Sequence, residues 1–103
     1  EKVYERALLF ELRSRELICE SQIPIKVYYK GFEMGEYYAD LIVEDTVIIE
    51  LKAAEALATE HEAQLTNYLR ATDKEVQLLL KFGKKPEFKR KIFENRFKAN
   101  FKI

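Results

Sequence analysis

The stretch Thr46-Val47-Ile48-Ile49-Glu50-Leu51-Lys52 is an apolar run that ends in two opposite charges two positions apart. The run reads as a buried strand. The spacing of two sends Glu50 and Lys52 out of one face and turns Leu51 to the other. Apolar residues on both faces of Val47 to Ile49 imply cover on both sides of the sheet. A charge beside a buried strand is costly unless it is paired, solvated or bound to a metal. Glu50 therefore needs a partner, and a cation is the partner to test.

Asp40 lies ten positions before Glu50, and Tyr37 to Val43 reads as a strand that pairs with Val47 to Lys52 in an antiparallel hairpin. For Asp40 to face Glu50, Ile42 must pair with Ile48 and Tyr38 with Lys52, which requires the three-residue loop Glu44-Asp45-Thr46 or an equivalent bulge. A two-residue loop would throw Asp40 to the other face. With the odd loop, two carboxylates and one ammonium gather at one end of the sheet. An ordinary salt bridge at a strand end is the simpler alternative.

The rest of the chain surrounds this hairpin with mixed elements. Residues 1–17 read as a helix, with Val3, Ala7, Phe10 and Leu17 near helical spacing and Tyr4, Leu8 and Leu12 in the adjoining row. No capping residue precedes Glu1, so the helix reads as already in progress and an earlier segment is expected outside the sequence. Ile18 to Gln22 and Ile25 to Tyr29 read as extended segments divided by Pro24, with Gly31 and Gly35 marking a hairpin tip. Thr59 is placed to cap a helix from about Glu60 to Ala71, with Glu62 at the capping-box position. Val76 to Phe82 reads as an apolar strand ended by Gly83. Phe88 to Phe93 fits an edge strand, while Phe93, Phe97 and Phe101 also fit a helix. The order helix, strands, helix, strand predicts an α/β domain with helices packed on a central sheet.

The 103 residues suit one domain over 1–103, and 48% hydrophobic residues supply a core. The longest apolar runs fall far short of the roughly 20 residues that cross a bilayer, so no membrane partner is expected. Cys19 is the only cysteine, which excludes an internal disulfide and a multi-cysteine zinc site and fits a cytoplasmic setting. The net charge of zero hides an asymmetry: residues 1–80 carry nine Lys/Arg against sixteen Asp/Glu, and residues 81–103 carry nine against two. Five of the seven Phe residues share the basic end. Such a segment could track a phosphate backbone, or fold against the acidic body with its rings in the core.

Two carboxylates and a lysine suit phosphodiester hydrolysis. Asp40 and Glu50 offer hard oxygen ligands to Mg²⁺, with Mn²⁺ as a substitute. The ion acidifies a water and offsets charge on the phosphate, and Lys52 could orient that water or stabilise the transition state. His61, Gln64 and Tyr68 form one stripe on the second helix, able to face the carboxylates or to form a polar seam. Glu1 and Glu5 share a stripe of the first helix, and either could add a third carboxylate.

Asp40, Glu50-Leu51-Lys52 and Gln64-x-x-x-Tyr68 together resemble the PD-(D/E)xK nuclease superfamily. Within it, Glu1-Lys2-Val3-Tyr4-Glu5-Arg6-Ala7-Leu8, Tyr38-Ala39-Asp40-Leu41, Val47 to Ala53 and His61 to Leu69 resemble the GxxExxY protein family. The resemblance spans nearly the whole chain. It implies a restriction-endonuclease-like αβββαβ core with a mixed central sheet flanked by helices. It implies Asp40 and Glu50 as Mg²⁺ ligands and Lys52 as the catalytic lysine. Glu1 and Tyr4 match the E-x-x-Y half of the signature, which puts Glu1 ahead of Glu5 as the first-helix carboxylate. Gln64 and Tyr68 match a helix motif of the nuclease branch related to recombination exonucleases. The Gly of the signature would fall three residues before Glu1, outside this sequence.

These residues lead to the expectation of a Mg²⁺-dependent nuclease, acting on DNA in preference to RNA, with Gln64 and Tyr68 positioning the phosphate. The alternative is a nuclease-fold module that binds nucleic acid or protein with weak or no catalysis. Exo or endo action, and whether a homodimer forms, stay open.

Overall fold

A computed structural model of the chain describes residues 2–53 and 59–98, except the side chains of residues 59–62 and 64. The elements run α1 (Lys2–Ser14), β1 (Cys19–Tyr29), β2 (Phe32–Val43), β3 (Val47–Ala53), α2 (Thr59–Ala71), β4 (Val76–Phe82) and β5 (Glu87–Ile92), followed by a 3-10 turn over Asn95–Phe97. The five strands form one sheet in sequence order. β1–β2, β2–β3 and β4–β5 pair antiparallel, while β3 and β4 pair parallel across α2. The expected αβββαβ order is present, with β5 added at its edge. No helix among the described residues is long and apolar enough to cross a membrane.

Each face of the sheet buries its own cluster. Leu41, Ile49, Leu51 and Cys19 meet Leu8, Leu9 and Leu12 of α1, while Ile25, Tyr37, Ala39, Ile42 and Ile48 meet Leu69 and Tyr68 of α2. Ile48 and Ile49 are both buried, one on each face, as the apolar run in β3 requires. In α1 the row Leu8 and Leu12 faces inward with Leu9, whereas Val3 and Phe10 of the other predicted row are each 77% exposed.

α1 stops three residues earlier than its periodicity predicts. Glu16 takes a left-handed φ of 66°, its N–H bonds Arg13 O, and Leu17 N–H bonds Leu12 O at 3.1 Å. These two bonds form a Schellman end with Glu16 in the position that usually holds glycine.

Pro24 does not divide the extended region. β1 is the outermost strand, and an edge strand can place a residue without N–H away from the ladder. Lys30 and Gly31 turn the hairpin with φ of 50° and 83°, the pair of positive values that a two-residue turn of type I′ needs. Gly35 sits inside β2 opposite Val27 rather than at the tip. Thr59 belongs to α2 rather than preceding it, and the side chains of Thr59 and Glu62, which would close the capping box, lie outside the described residues.

The basic end divides. Lys89, Arg90 and Lys91 lie on β5, the expected edge strand, and Phe88 there is 70% exposed. Phe93 packs against the core cluster and Phe82 stacks on Tyr4 with ring centroids 4.1 Å apart. Lys98 is a correction to the reading of this end as a cationic track. It is buried, and its ammonium donates to the carbonyls of Thr72, at 2.8 Å, and Lys74. Phe101 and Lys102 lie outside the described residues.

Candidate active site

The β2–β3 hairpin has the register that joins the carboxylates. Ile42 pairs with Ile48 and Val43 with Val47 around the loop Glu44-Asp45-Thr46, where Glu44 and Asp45 are both left-handed. The ladder ends at Leu41 and Ile49, one step before Asp40 would meet Glu50. Beyond that step the two strands part. The Asp40 carboxylate bridges the opening, its Oδ2 accepting the backbone N–H of Leu51 at 2.8 Å.

Asp40 also lies where β1 and β2 exchange faces. Ser21 pairs with Leu41 and Ile23 with Ala39, so the register holds, yet the step Gln22 opposite Asp40 is missing from the ladder. Ala39 packs on the α2 side and Leu41 on the α1 side, although residues two apart in a regular strand share a face. Gln22 supplies the break with a φ of 53°. Its side-chain amide donates to Glu5 Oε1 at 2.9 Å and, more loosely, to Asp40 Oδ1 at 3.5 Å. Asp40 is thereby linked to α1 through Gln22 on one side and to Leu51 of β3, next to Glu50, on the other.

Glu50 is 4% exposed, and its Oε1 has no hydrogen-bond partner among the described residues. Burial and then the Asp40 charge push its carboxyl up to about 8, while Tyr37 and Lys52 pull the other way. Near neutral pH this carboxyl holds its proton. The buried Tyr37 hydroxyl faces Glu50 and Gln77 but closes a well-formed hydrogen bond to neither. Burial and the Glu50 charge raise its pKa. Gln77 is itself buried and ties β4 to α2 by donating to Leu65 O at 3.3 Å.

Of the residues predicted from sequence, Asp40, Glu50 and Lys52 are brought to one end of the sheet. Tyr68 stands beside them at one remove: its ring stacks on Tyr37, centroids 4.5 Å apart and planes 5° from parallel. Gln64 falls on α2, but its side chain, like that of His61, lies outside the described residues, and so does Glu1. Among the described residues the first-helix carboxylate that reaches the site is Glu5, which is buried, accepts from Gln22 and lies 3.5 Å from the Lys2 ammonium. Its signal was its place on the inward row with Leu8 and Leu12, where a charge is out of keeping. Gln22, Tyr37 and Gln77 were not singled out. Gln77 alone carried a hint, as the first polar residue inside the apolar run of β4.

The donor set suits a hard divalent cation. Asp40 and Glu50 are the pair to hold it, and the orphaned Glu50 Oε1 is a buried acceptor that a cation would satisfy. No group of three or more acidic, histidine or cysteine side chains stands ready among the described residues.

Comparison with known proteins gives the family. The family model described as the PD-(D/E)XK nuclease superfamily matches residues 1–91, and the chain belongs to that superfamily. No curated protein and no solved structure matches.

Proposed function

We propose that this member of the PD-(D/E)XK nuclease superfamily is a Mg²⁺-dependent nuclease, able to use Mn²⁺, that hydrolyses phosphodiester bonds in DNA. The observation that carries the reading is the Oε1 of Glu50, buried beside Asp40 and without a hydrogen-bond partner among the described residues. In a purely structural site a buried acid without a partner costs stability and brings nothing in return. Beside a second carboxylate it is half of a cation site, and such strongly perturbed groups concentrate at functional sites.

A bound ion would supply charge neutralisation at the phosphate and a more acidic water. The protein's own part is to hold it with Asp40 and Glu50, Glu50 giving up its proton as it does so. Lys52 leaves the same strand face as Glu50 and acts on the attacking water or the developing charge. Gln64 and Tyr68 position the phosphate in this reading. The first-helix carboxylate is Glu1 by the family resemblance, and Glu5, linked to Asp40 through Gln22, is a second candidate for that role. The preference for DNA over RNA comes from the family resemblance, and the buried free thiol of Cys19 fits a cytoplasmic setting.

Labelled single- and double-stranded DNA and RNA, incubated with Mg²⁺, Mn²⁺ or chelator, test the reading beside a Lys52→Ala control. Metal-dependent products from DNA that disappear in the variant support it. Cleavage of RNA alone corrects the substrate, and absence of cleavage with either ion overturns the hydrolytic role.

One observation favours the alternative of a binding module: among the described residues no group of three or more acidic, histidine or cysteine side chains is gathered closely enough to hold an ion. Binding that weakens steeply with salt while no substrate is cut would decide for it.

A further inference from the structure

We propose that Lys81 is a positioning residue of this site, gripping the substrate phosphate next to the one under attack, so that the nucleic-acid strand lies across β3 and β4. The inference rests on the nuclease reading above and adds a residue and a path to it.

The parallel register places Lys52 beside Lys81 and Glu50 beside Leu79. Registered neighbours on adjacent strands share a face and stand about 4.8 Å apart. The face of Lys81 is fixed independently, because Gln77 on the same side of β4 reaches the Leu65 carbonyl of α2 while Phe82 on the other side stacks on Tyr4 of α1. Lys81 thus leaves the sheet on the face that carries Glu50 and Lys52. Two ammonium groups side by side on neighbouring strands repel each other.

Among the described residues neither lysine has an ion pair to offset that repulsion. Glu87 pairs with Lys81 across β4 and β5, yet the two form no ion pair among the described residues. Several cations elsewhere are paired: Arg15 with Glu11, Lys74 with Asp45, and Lys98 with the Thr72 carbonyl. Lys52, Lys81, Lys84, Lys85 and Arg90 have no ion pair or hydrogen bond among the described residues. A local conflict of this kind, next to a pair of acids, marks a place where the missing partner arrives from outside. The partner that fits two lysine stems in one row beside a cation site is a polyanion, and on this reading it is the phosphodiester backbone.

The test compares wild type, Lys81→Ala, Lys81→Arg and Arg15→Ala, the last removing one exposed cation from the end of α1. Affinity for a fluorescent oligonucleotide is measured in chelator across a salt series, and kcat and KM are measured with Mg²⁺. Lys81→Ala is expected to flatten the slope of log affinity against log salt by about one. It is expected to raise KM about tenfold with kcat changed less than about twofold, the mark of lost uniform binding. Lys81→Arg restores both, and Arg15→Ala moves neither. A Lys81→Ala protein with the wild-type slope and KM overturns the inference while leaving the nuclease reading intact, as does an equal loss in Arg15→Ala. A wild type that neither binds nor cleaves overturns both.

Discussion

Asp40 and Leu51 are joined across the point where β2 and β3 part, the carboxylate oxygen standing in for the strand carbonyl that the Leu51 N–H no longer meets. The same side chain is thus both a structural acceptor and half of the cation site. These roles separate by substitution. Asp40→Asn keeps an oxygen for the Leu51 N–H and is expected to unfold in urea within about 1 kcal/mol of wild type, while metal-dependent cleavage falls by about 100-fold or more. Asp40→Ala strands the N–H as well and is expected to cost about 1–3 kcal/mol. Equal stability of the two variants would show that the bond to Leu51 contributes nothing.

Glu50 gives a pH dependence of definite sign. Its carboxyl rises from 4.5 to about 8, chiefly through burial. Between those values the native protein holds a proton that the unfolded chain has released, so the native state binds more protons and stability falls as pH rises. The metal-free protein is expected to lose on the order of 4 kcal/mol from this group between pH 4.5 and 8. Glu50→Gln removes that loss, and its denaturation midpoint should overtake that of wild type at the upper end of the range. A wild-type and variant pair with parallel pH profiles would contradict the buried, protonated carboxyl.

Metal binding reads the same proton from the other direction. Because Asp40 and Glu50 hold an ion only as carboxylates, Mg²⁺ uptake at pH 7 is expected to release about one proton. Calorimetry in two buffers of different ionisation enthalpy measures that number directly. Thermal stabilisation by Mg²⁺ should be larger at pH 8 than at pH 6 and absent in Glu50→Gln. Stabilisation that persists in the variant would place the ion elsewhere.

The core of this arrangement was legible from the order of residues because it depends on parity. The apolar run Val47 to Ile49 marks the strand, and spacing brings Asp40, Glu50 and Lys52 to one end of the sheet on the condition of an odd loop, which Glu44-Asp45-Thr46 meets. The face exchange at Gln22 and Asp40 was not legible, since a left-handed glutamine in an extended run leaves no mark in composition or period. Pro24 misled because its meaning depends on whether β1 is central or outermost, and strand order is a long-range property. Glu5 was visible as a charge on the inward row of α1, but only packing shows that this row, and not that of Val3 and Phe10, faces the sheet.

The end of α1 offers a check on that helix independent of any activity. Glu16 holds a left-handed φ of 66°, a conformation that strains a residue with a Cβ and suits glycine. Glu16→Gly is expected to stabilise the protein by about 0.5–1 kcal/mol, measured by urea denaturation, with cleavage unaltered. A destabilised variant would mean that the Glu16 side chain makes up for its backbone.

Tyr68 and Tyr37 put the assignment of Tyr68 to the phosphate under the sharpest test, because their stacked rings give Tyr68 a structural role as well. Tyr68→Ala removes a partly buried ring from the α2 side of the core and is expected to cost about 3 kcal/mol, whatever the hydroxyl does. Tyr68→Phe keeps the ring and the stack, so its stability should stay within about 1 kcal/mol of wild type. If the hydroxyl touches the phosphate, the Phe variant loses cleavage by about tenfold or more while remaining folded. Tyr37→Phe is the counterpart: it keeps the same stack and deletes a buried hydroxyl that closes no well-formed hydrogen bond among the described residues, so it should cost little stability. It also removes a group that lowers the Glu50 pKa, so the pH midpoint of metal binding should move upward. Full activity in Tyr68→Phe would reduce Tyr68 to a support for Tyr37, and the phosphate would then have to be held by other groups on α2 or on the β4 edge of the site.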